Sequence, residues 1–402
     1  MAQLLAGFLI VKWVTPEELG LWQSVRMAQV YSFILLAGIN NGLGRELPYF
    51  LGKGDQALAN RLAGTAFFCV TVANAIVLVC GAGCAIVFAH RGSELVWAIV
   101  VVTLLIVLTF YQHILTLTFR SNDSFKRLTT IQWVEAGLSM ATVPMVYFFR
   151  YNGMLLRTLL ISVVLLSLMF FWRPMRAKMR MDWEALKLLL KTGLPIFGLD
   201  YLKNSCSTLD KVVLLKLGGV RDVGMYALAG IAFESLGALP KALGSYLYPR
   251  MTYKYGQSGD PKVLWDYGIK FAMLATALTG LAAVVGWLIL PYFVPAFLPN
   301  YLAGVSAAQV TLIAGVFVAA TIIVDALWSL KIWRLMVTYQ VLSSILFALG
   351  PVLGVLFIGK SLEGVAWGAA IGAVGRSVLA LGLTYYGTHK AVRSTSISAS
   401  ST

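Results

Sequence analysis

The chain has 402 residues, of which 59% are hydrophobic and 12% charged, and its mean hydropathy is +0.80. A soluble protein carries roughly a quarter charged residues because its surface faces water, so this composition excludes an ordinary soluble protein. The net charge of +15 is spread over many short connectors, and no single basic domain is present. That distribution argues against nucleic-acid binding and is typical of a protein whose membrane topology is set by charge.

The apolar residues form blocks of about twenty, the length of helix that crosses a hydrocarbon layer ~30 Å thick. Because the bilayer interior offers the backbone no hydrogen-bond partners, each block is predicted to be a helix. The first block is interpreted as the outer end of a spanning helix whose beginning is short or missing. In chain order the predicted segments are 1–14, 21–43, 62–89, 95–119, 128–149, 154–172, 192–215, 224–249, 264–290, 301–328, 333–358 and 361–388.

A basic, amphipathic connector divides these segments into two sets of six. We therefore predict an all-α integral membrane protein of about twelve transmembrane helices, with six-helix bundles at 1–172 and 192–388. Successive connectors lie on opposite sides of the membrane. The connectors of one side carry nineteen basic residues and those of the other side five, so the side with nineteen is predicted to be the cytoplasm. This topology places both termini, the connector 173–191 and the tail 389–402 in the cytoplasm.

Two short stretches indicate that the second half repeats the first. "TPEELGLWQ" (15–23) and "GVRDVGMYA" (219–227) each join two apolar runs, and both are predicted to be turns at the outer face. Since each half has an even number of segments, both halves enter from the same side and form a parallel repeat, as in one class of transporter. Three positions match at a constant spacing of 204 residues, namely Lys12 with Lys216, Gly20 with Gly224, and Trp22 with Tyr226.

The stretch "LLLKTGLPIFGLDYLKNSCSTLDKVVLLKLGGVRDVGMYALA" (188–229) is the most specific signal of a known family. It resembles the seventh helix of the polysaccharide-transporter branch of the multidrug/oligosaccharidyl-lipid/polysaccharide exporter superfamily. The matching positions are Gly193–Pro195, Asp210–Lys211, Leu217–Gly218 and Gly224–Tyr226.

This resemblance implies a flippase rather than an enzyme, with no covalent chemistry and no cofactor. Such proteins move polyprenyl-diphosphate-linked oligosaccharides from the cytoplasmic to the outer leaflet by alternating access, for O-antigen or exopolysaccharide biosynthesis. The implied partners are the lipid-linked oligosaccharide, membrane lipids, a polysaccharide polymerase and a chain-length regulator. Relatives of the same fold instead expel drugs against a sodium or proton gradient, and that alternative stays open.

Charged residues inside the apolar segments are the candidate site residues. A charge near mid-membrane costs about 2.5–3.5 kcal/mol, so it needs a wet cavity or a partner. The seventh segment carries one polar stripe at helical spacing, and Lys203 in this stripe is placed near the bilayer centre. The stripe consists of Asp200, Lys203, Ser207 and Lys211. Glu234 and Arg376 also lie deep in their segments, and Arg26 lies in the outer part of the second segment.

The basic members are predicted to line a cavity between the halves and to bind the anionic diphosphate, because guanidinium and ammonium groups suit phosphate oxygens. These predicted substrate-binding residues are Lys203, Arg376, Arg26 and Lys211. In the alternative, Lys203 forms an internal ion pair with Glu234 or Asp200. Glu234 and Asp200 are also candidates for carrying a coupling ion. No metal site is expected, since the four cysteines lie in apolar blocks without a histidine beside them.

Overall fold

The computed structural model describes residues 2–258, 260–330 and 332–400, and all regular secondary structure in these ranges is helical. The α-helices are α1 Ala2–Trp13, α2 Pro16–Ser32, α3 Ile39–Gly52, α4 Gln56–Val87, α5 Ser93–Ser121, α6 Phe125–Ala141, α7 Val143–Phe171, α8 Trp183–Cys206, α9 Leu209–Leu217, α10 Gly219–Met225, α11 Ala227–Ser258, α12 Lys262–Phe297, α13 Val305–Ala319, α14 Asp325–Leu330, α15 Trp333–Phe357 and α16 Leu362–Ser400. Short 3-10 helices occupy Phe33–Leu36, Ala89–Arg91, Pro299–Gly304 and Ala320–Val324.

Eight segments of the described residues are long and apolar enough to cross a membrane. They are Gln56–Val87, Val96–Ser121, Val143–Phe171, Gly219–Gly244, Lys262–Phe297, Pro299–Leu330, Trp333–Phe357 and Leu362–Arg393. Three further predicted spans are interrupted. The span 21–43 breaks at 37–38, the span 128–149 is divided between α6 and α7, and the span 192–215 is divided between α8 and α9.

The break at Ala37 and Gly38 comes from two consecutive left-handed residues, with φ values of 44° and 81°. Alanine pays a steric cost in this conformation, whereas glycine adopts it freely. Gly38 is also where α3 approaches α8, because a Cβ on Gly38 would lie 2.8 Å from the carbonyl group of Gly193. A Cβ on Gly193 would in turn overlap the carbonyl oxygen of Gly38 and lie 2.7 Å from the backbone nitrogen of Gly42.

We expect Gly193→Ala to destabilise the protein, because the added methyl group meets rigid backbone on α3. Overpacking of this kind typically costs about 1–3 kcal/mol, which corresponds to a melting temperature lowered by several degrees. The measurement is thermal unfolding in detergent. Gly198→Ala on the same helix is the matched control, because a Cβ there meets nothing within 4 Å. Equal melting temperatures for the two variants would contradict the close approach of α3 and α8.

The two stretches predicted to be turns are largely helical. Thr15 is the N-cap of α2: its side chain accepts from the backbone nitrogen of Glu18 at 3.3 Å, and the Glu18 carboxylate accepts from the backbone nitrogen of Thr15 at 2.8 Å. This reciprocal capping box, with Pro16 at the first helical position, starts the helix at once. The second stretch forms the short helix α10 and leads into α11.

The chain divides into two compact units, Met1–Tyr201 and Leu202–Thr402, and the boundary falls inside α8. In the first unit, α4 packs against α3 and α5, and α5 packs against α7. In the second unit, α13 packs against α11, α12 and α16, and α15 packs along α16. Each unit has its own apolar core, centred on residues such as Leu62 and Phe110 in the first and Leu247 and Leu327 in the second.

Residues 173–182 of the predicted connector are not helical, and their later part lies along α4. The Thr65 hydroxyl donates to the carbonyl oxygen of Arg180 at 3.4 Å, and Arg61 forms an ion pair with Asp182 at 2.6 Å. This bond from Arg61 lowers the pKa of the Asp182 carboxyl to about 2. Asp182 also accepts from the backbone nitrogens of Glu184 and Ala185, both at 3.1 Å, and this N-terminal cap explains why α8 begins at Trp183.

Candidate functional site

The second unit contains a cavity of about 620 Å3. Its walls are the end of α8 together with parts of α11, α13, α14, α15 and α16. The remaining lining combines serine, threonine and asparagine side chains with two phenylalanine rings and several small or aliphatic residues, so polar groups are set in a largely apolar wall. Its charged lining residues are Lys203, Lys241 and Arg376, which are basic, and Glu234 and Asp325, which are acidic.

Arg376 is the most constrained of the basic residues. Its guanidinium carbon lies 5.2 Å from the ring centroid of Phe347, within the range of a cation–π contact. Its Nε is buried and has no hydrogen-bond partner among the described residues. A buried donor left without an acceptor costs about 1–3 kcal/mol, so this guanidinium favours a ligand that brings acceptor oxygens.

Lys203 on α8 and Lys241 on α11 are both exposed. Within the described residues, neither lysine has a carboxylate within 4.0 Å of its ammonium group. The alternative in which Lys203 pairs internally with Glu234 is therefore not the arrangement in this structure. Both ammonium groups keep their three donors available to a ligand.

The two carboxylates of the cavity come from different helices. Glu234 is exposed on α11. Asp325 begins α14 and is half-buried, with one carboxylate oxygen 3.5 Å from the position that a Cβ on Gly244 would occupy. Because neither carboxylate forms an ion pair within the described residues, both remain available for a cation or for hydroxyl groups.

A smaller cavity of about 180 Å3 adjoins the first. The two cavities share Ser207, Phe233, Glu234 and Phe347. The smaller one adds Asp210, Lys211, Tyr226 and Thr311 among its polar lining residues. One Asp210 oxygen accepts from the backbone nitrogen of Lys211 at 2.8 Å, which fixes the position of this carboxylate at the start of α9.

The structure brings together part of the predicted site. Lys203, Arg376 and Glu234 line the larger cavity, and Lys211 lines the smaller one. The other two predicted residues belong to the first unit and line neither cavity. Arg26 is exposed on α2, and Asp200 accepts a hydrogen bond from the Asn41 amide at 2.9 Å.

Lys241 and Asp325 line the larger cavity but are not among the residues predicted from the sequence, because both lie close to the ends of their apolar segments. For Lys241 a signal is present: it follows Glu234 by seven residues, so both lie on one face of α11. Asp325 gives no comparable signal, since the 3-10 helix before it shifts the helical register. Within the described residues, no group of three or more His, Cys, Asp or Glu side chains could hold a metal ion.

A comparison with protein families finds a sequence match to a family described as polysaccharide biosynthesis protein. The match covers residues 54–251, about half of the chain, and includes Lys203, Lys211 and Glu234. No curated protein sequence matches the chain.

Solved structures share the fold over nearly the whole chain. The inward-facing conformation of a multidrug resistance MATE family transporter of the MOP superfamily has a TM-score of 0.75 at 17% identity, covering 97% of this chain and 96% of that one. An outward-facing MATE family transporter has a TM-score of 0.67 at 16% identity, covering 98% and 93%.

A third similar structure is a MOP superfamily transporter from Pyrococcus furiosus, described as having a binding pocket of reverse polarity. Its TM-score is 0.64 at 18% identity, and 97% of this chain and 93% of that one are covered. At such identities the likeness concerns the fold, and it confirms the predicted all-α architecture of two six-helix bundles. The chain is therefore a multi-pass membrane protein with the fold of the MOP superfamily transporters, and its residues 54–251 match the family described as polysaccharide biosynthesis protein, as the resemblance predicted.

Proposed function

We propose that this protein is a flippase for polyprenyl-diphosphate-linked oligosaccharides. It would move them by alternating access from the cytoplasmic to the outer leaflet of the inner (cytoplasmic) membrane, for surface polysaccharide biosynthesis. The observation that carries the proposal is the cation-rich cavity of the second unit, in which the buried Nε of Arg376 has no partner among the described residues.

The charge of this cavity favours an anionic cargo. Three basic residues and two carboxylates line it, which leaves a net positive charge. Hydrogen bonds from cationic donors to phosphate oxygens are about twice as strong as neutral ones, and the planar fork of arginine bonds two oxygens at once. Lys203 and Lys241 add point charges that follow a mobile phosphate group without fixing its orientation.

The size of the cavity suits a polar headgroup. Ligand sites in proteins have volumes of about 300–1,000 Å3, and this cavity, at about 620 Å3, lies within that range. The prenyl tail is as apolar as the surrounding lipid, so it gains nothing from entering a charged cavity and would stay in the bilayer. The headgroup alone would then have to cross the membrane inside the protein.

The proposal is tested with purified protein reconstituted into liposomes. A fluorescent short-chain prenyl diphosphate carrying an oligosaccharide is incorporated, and its transfer between leaflets is followed by quenching from outside. We expect protein-dependent transfer of this lipid and no transfer of a prenyl glycoside that lacks phosphate. Equal rates for both lipids would contradict recognition of the diphosphate.

The second candidate function is an ion-coupled exporter of drugs or other small molecules. It is favoured by one observation, namely that Glu234 and Asp325 face the same cavity as the basic residues. Carboxylates inside membrane proteins often carry a coupling proton or sodium ion, and they attract cationic cargo. The fold is shared with multidrug transporters and does not separate the two functions.

Glu234→Gln separates the candidates in a drug-accumulation assay. If the protein is a flippase, we expect cells that produce the wild-type protein to accumulate a cationic dye as much as cells without it, and Glu234→Gln to change nothing. The matched control is Glu363→Gln, an exposed residue in the first turn of α16 that lines neither cavity. Efflux by the wild type that is lost in Glu234→Gln and kept in Glu363→Gln would instead assign the exporter.

A further inference from the structure

We propose that the smaller cavity is a sugar subsite, which binds the first sugar ring of the cargo while the larger cavity binds the diphosphate. The inference rests on the proposed function. It adds that two adjoining cavities bind different parts of the headgroup. It is carried by the acceptor-rich lining of the smaller cavity, its aromatic walls and its volume.

Two carboxylates dominate the polar lining of the smaller cavity. Glu234 stands where the two cavities meet, and Asp210 lies at the start of α9. A carboxyl group accepts hydrogen bonds at its oxygens, and on Asp210 the backbone nitrogen of Lys211 uses part of this capacity. The remaining acceptor capacity of the two groups suits a ligand that brings hydrogen-bond donors.

Two hydroxyl groups of this cavity are also acceptors. Ser207 donates its hydrogen to the carbonyl oxygen of Asn204 at 2.7 Å, and Thr311 donates to the carbonyl oxygen of Ala308 at 2.9 Å. A hydroxyl group has a single hydrogen, so each of these oxygens can offer only lone pairs to a ligand. Sugar hydroxyl groups both donate and accept, so they match these acceptors together with the Lys211 ammonium group that lines the same cavity, whereas a phosphate brings acceptors only.

Aromatic side chains form the apolar part of the same cavity. Tyr226, which is 3% exposed, lines it together with Phe233 and Phe347. The C–H faces of a sugar ring pack against such rings by dispersion, while the hydroxyl groups at the edge of the sugar reach the polar lining. The volume of about 180 Å3 is less than a third of that of the larger cavity, so the smaller cavity suits a single ring rather than an oligosaccharide.

The two cavities follow one another along α11. Gly230 lines the smaller cavity and Gly237 the larger one, and seven residues of helix separate them by about 10 Å on the same face. A Cβ on either glycine would meet nothing within 4 Å. Each cavity can therefore be filled separately by a side chain placed at one of these glycines.

The test uses two probes of equal charge, farnesyl methyl diphosphate and farnesyl diphosphate bearing one N-acetylglucosamine, with calorimetry on the purified protein. We expect the sugar-bearing probe to bind the wild type about tenfold more tightly, which equals about 1.4 kcal/mol or one to two net hydrogen bonds. In Gly230→Leu the ratio of affinities should fall to about one, with the affinity for the sugar-free probe unchanged. Gly237→Leu should bind neither probe.

Retained binding of the sugar-free probe shows that Gly230→Leu is folded. Ala369→Leu, which fills the smaller cavity from α16, is a second variant with the same expected result. Equal affinities of the two probes for the wild type, or an equal loss of both in Gly230→Leu and Ala369→Leu, would overturn the sugar subsite and leave the flippase proposal standing. If neither probe binds the wild type, the proposed function fails and the subsite fails with it.

Discussion

Gly237→Leu is expected to abolish transport of the lipid-linked oligosaccharide while the protein remains folded. Gly237 lines the larger cavity, and a Cβ at this position has open space around it, so a leucine side chain would enter the cavity without displacing a neighbour. Leucine also favours a helix over glycine by about 0.5–1 kcal/mol. The loss should therefore come from the occupied cavity and not from instability.

The measurement is the initial rate of transfer in the liposome assay, together with the melting temperature of the purified variant. Gly83→Leu is the matched control: it lies on α4 in the first unit, and a Cβ there also meets nothing within 4 Å. We expect Gly83→Leu to transport at the wild-type rate and Gly237→Leu to fall to the rate of protein-free liposomes. Wild-type transport by Gly237→Leu would show that the cargo does not pass through this cavity.

Arg376→Gln is the second change with a large expected effect. A hydrogen bond to a charged group contributes about 1.5–3 kcal/mol, so its loss should lower the transport rate at low cargo concentration by roughly 10- to 150-fold. Lys203→Gln should act in the same direction by a smaller factor, because an ammonium group contacts phosphate as a point charge. In cells, both changes should reduce export of surface polysaccharide at unchanged protein levels.

Lys270→Gln on α12 is the control for simple loss of positive charge, since Lys270 is exposed and lines neither cavity. It should transport as the wild type does. Inorganic diphosphate added to the assay should inhibit the wild type more strongly than Arg376→Gln. Wild-type rates in both Arg376→Gln and Lys203→Gln would remove these residues from the proposed diphosphate site.

Much of the architecture can be predicted from the sequence, because it depends on the length of apolar segments and on the position of charges within them. Apolar blocks long enough to cross a bilayer predict long helices such as α4, α5 and α12 within a few residues. The cost of a charge in lipid singles out Lys203, Glu234 and Arg376, since each lies deep within an apolar segment. Both predictions are independent of how the helices pack against one another.

Other features depend on local backbone geometry, which composition does not encode. The break beside Gly38 includes a left-handed alanine, and an alanine in a sequence does not predict this conformation because alanine rarely adopts it. The start of α2 can be predicted from the sequence, because threonine followed three residues later by glutamate is typical of a capping box. The same short polar stretch between two apolar runs also favours a turn, so the sequence supports both interpretations. Lys241 and Asp325 join the cavity because of how α11 and α14 pack, and that information lies in the tertiary structure.

The unpartnered Nε of Arg376 bears on how the protein discriminates among molecules of similar size. Any occupant must compensate the desolvation of this donor, and only a molecule with an acceptor oxygen at the right place does so. An occupant without an acceptor at that place would leave this donor unpaired and would add its own loss of hydration. This one atom therefore discriminates against molecules of similar size that carry no acceptor at that place, and it does so independently of the sugar composition of the cargo.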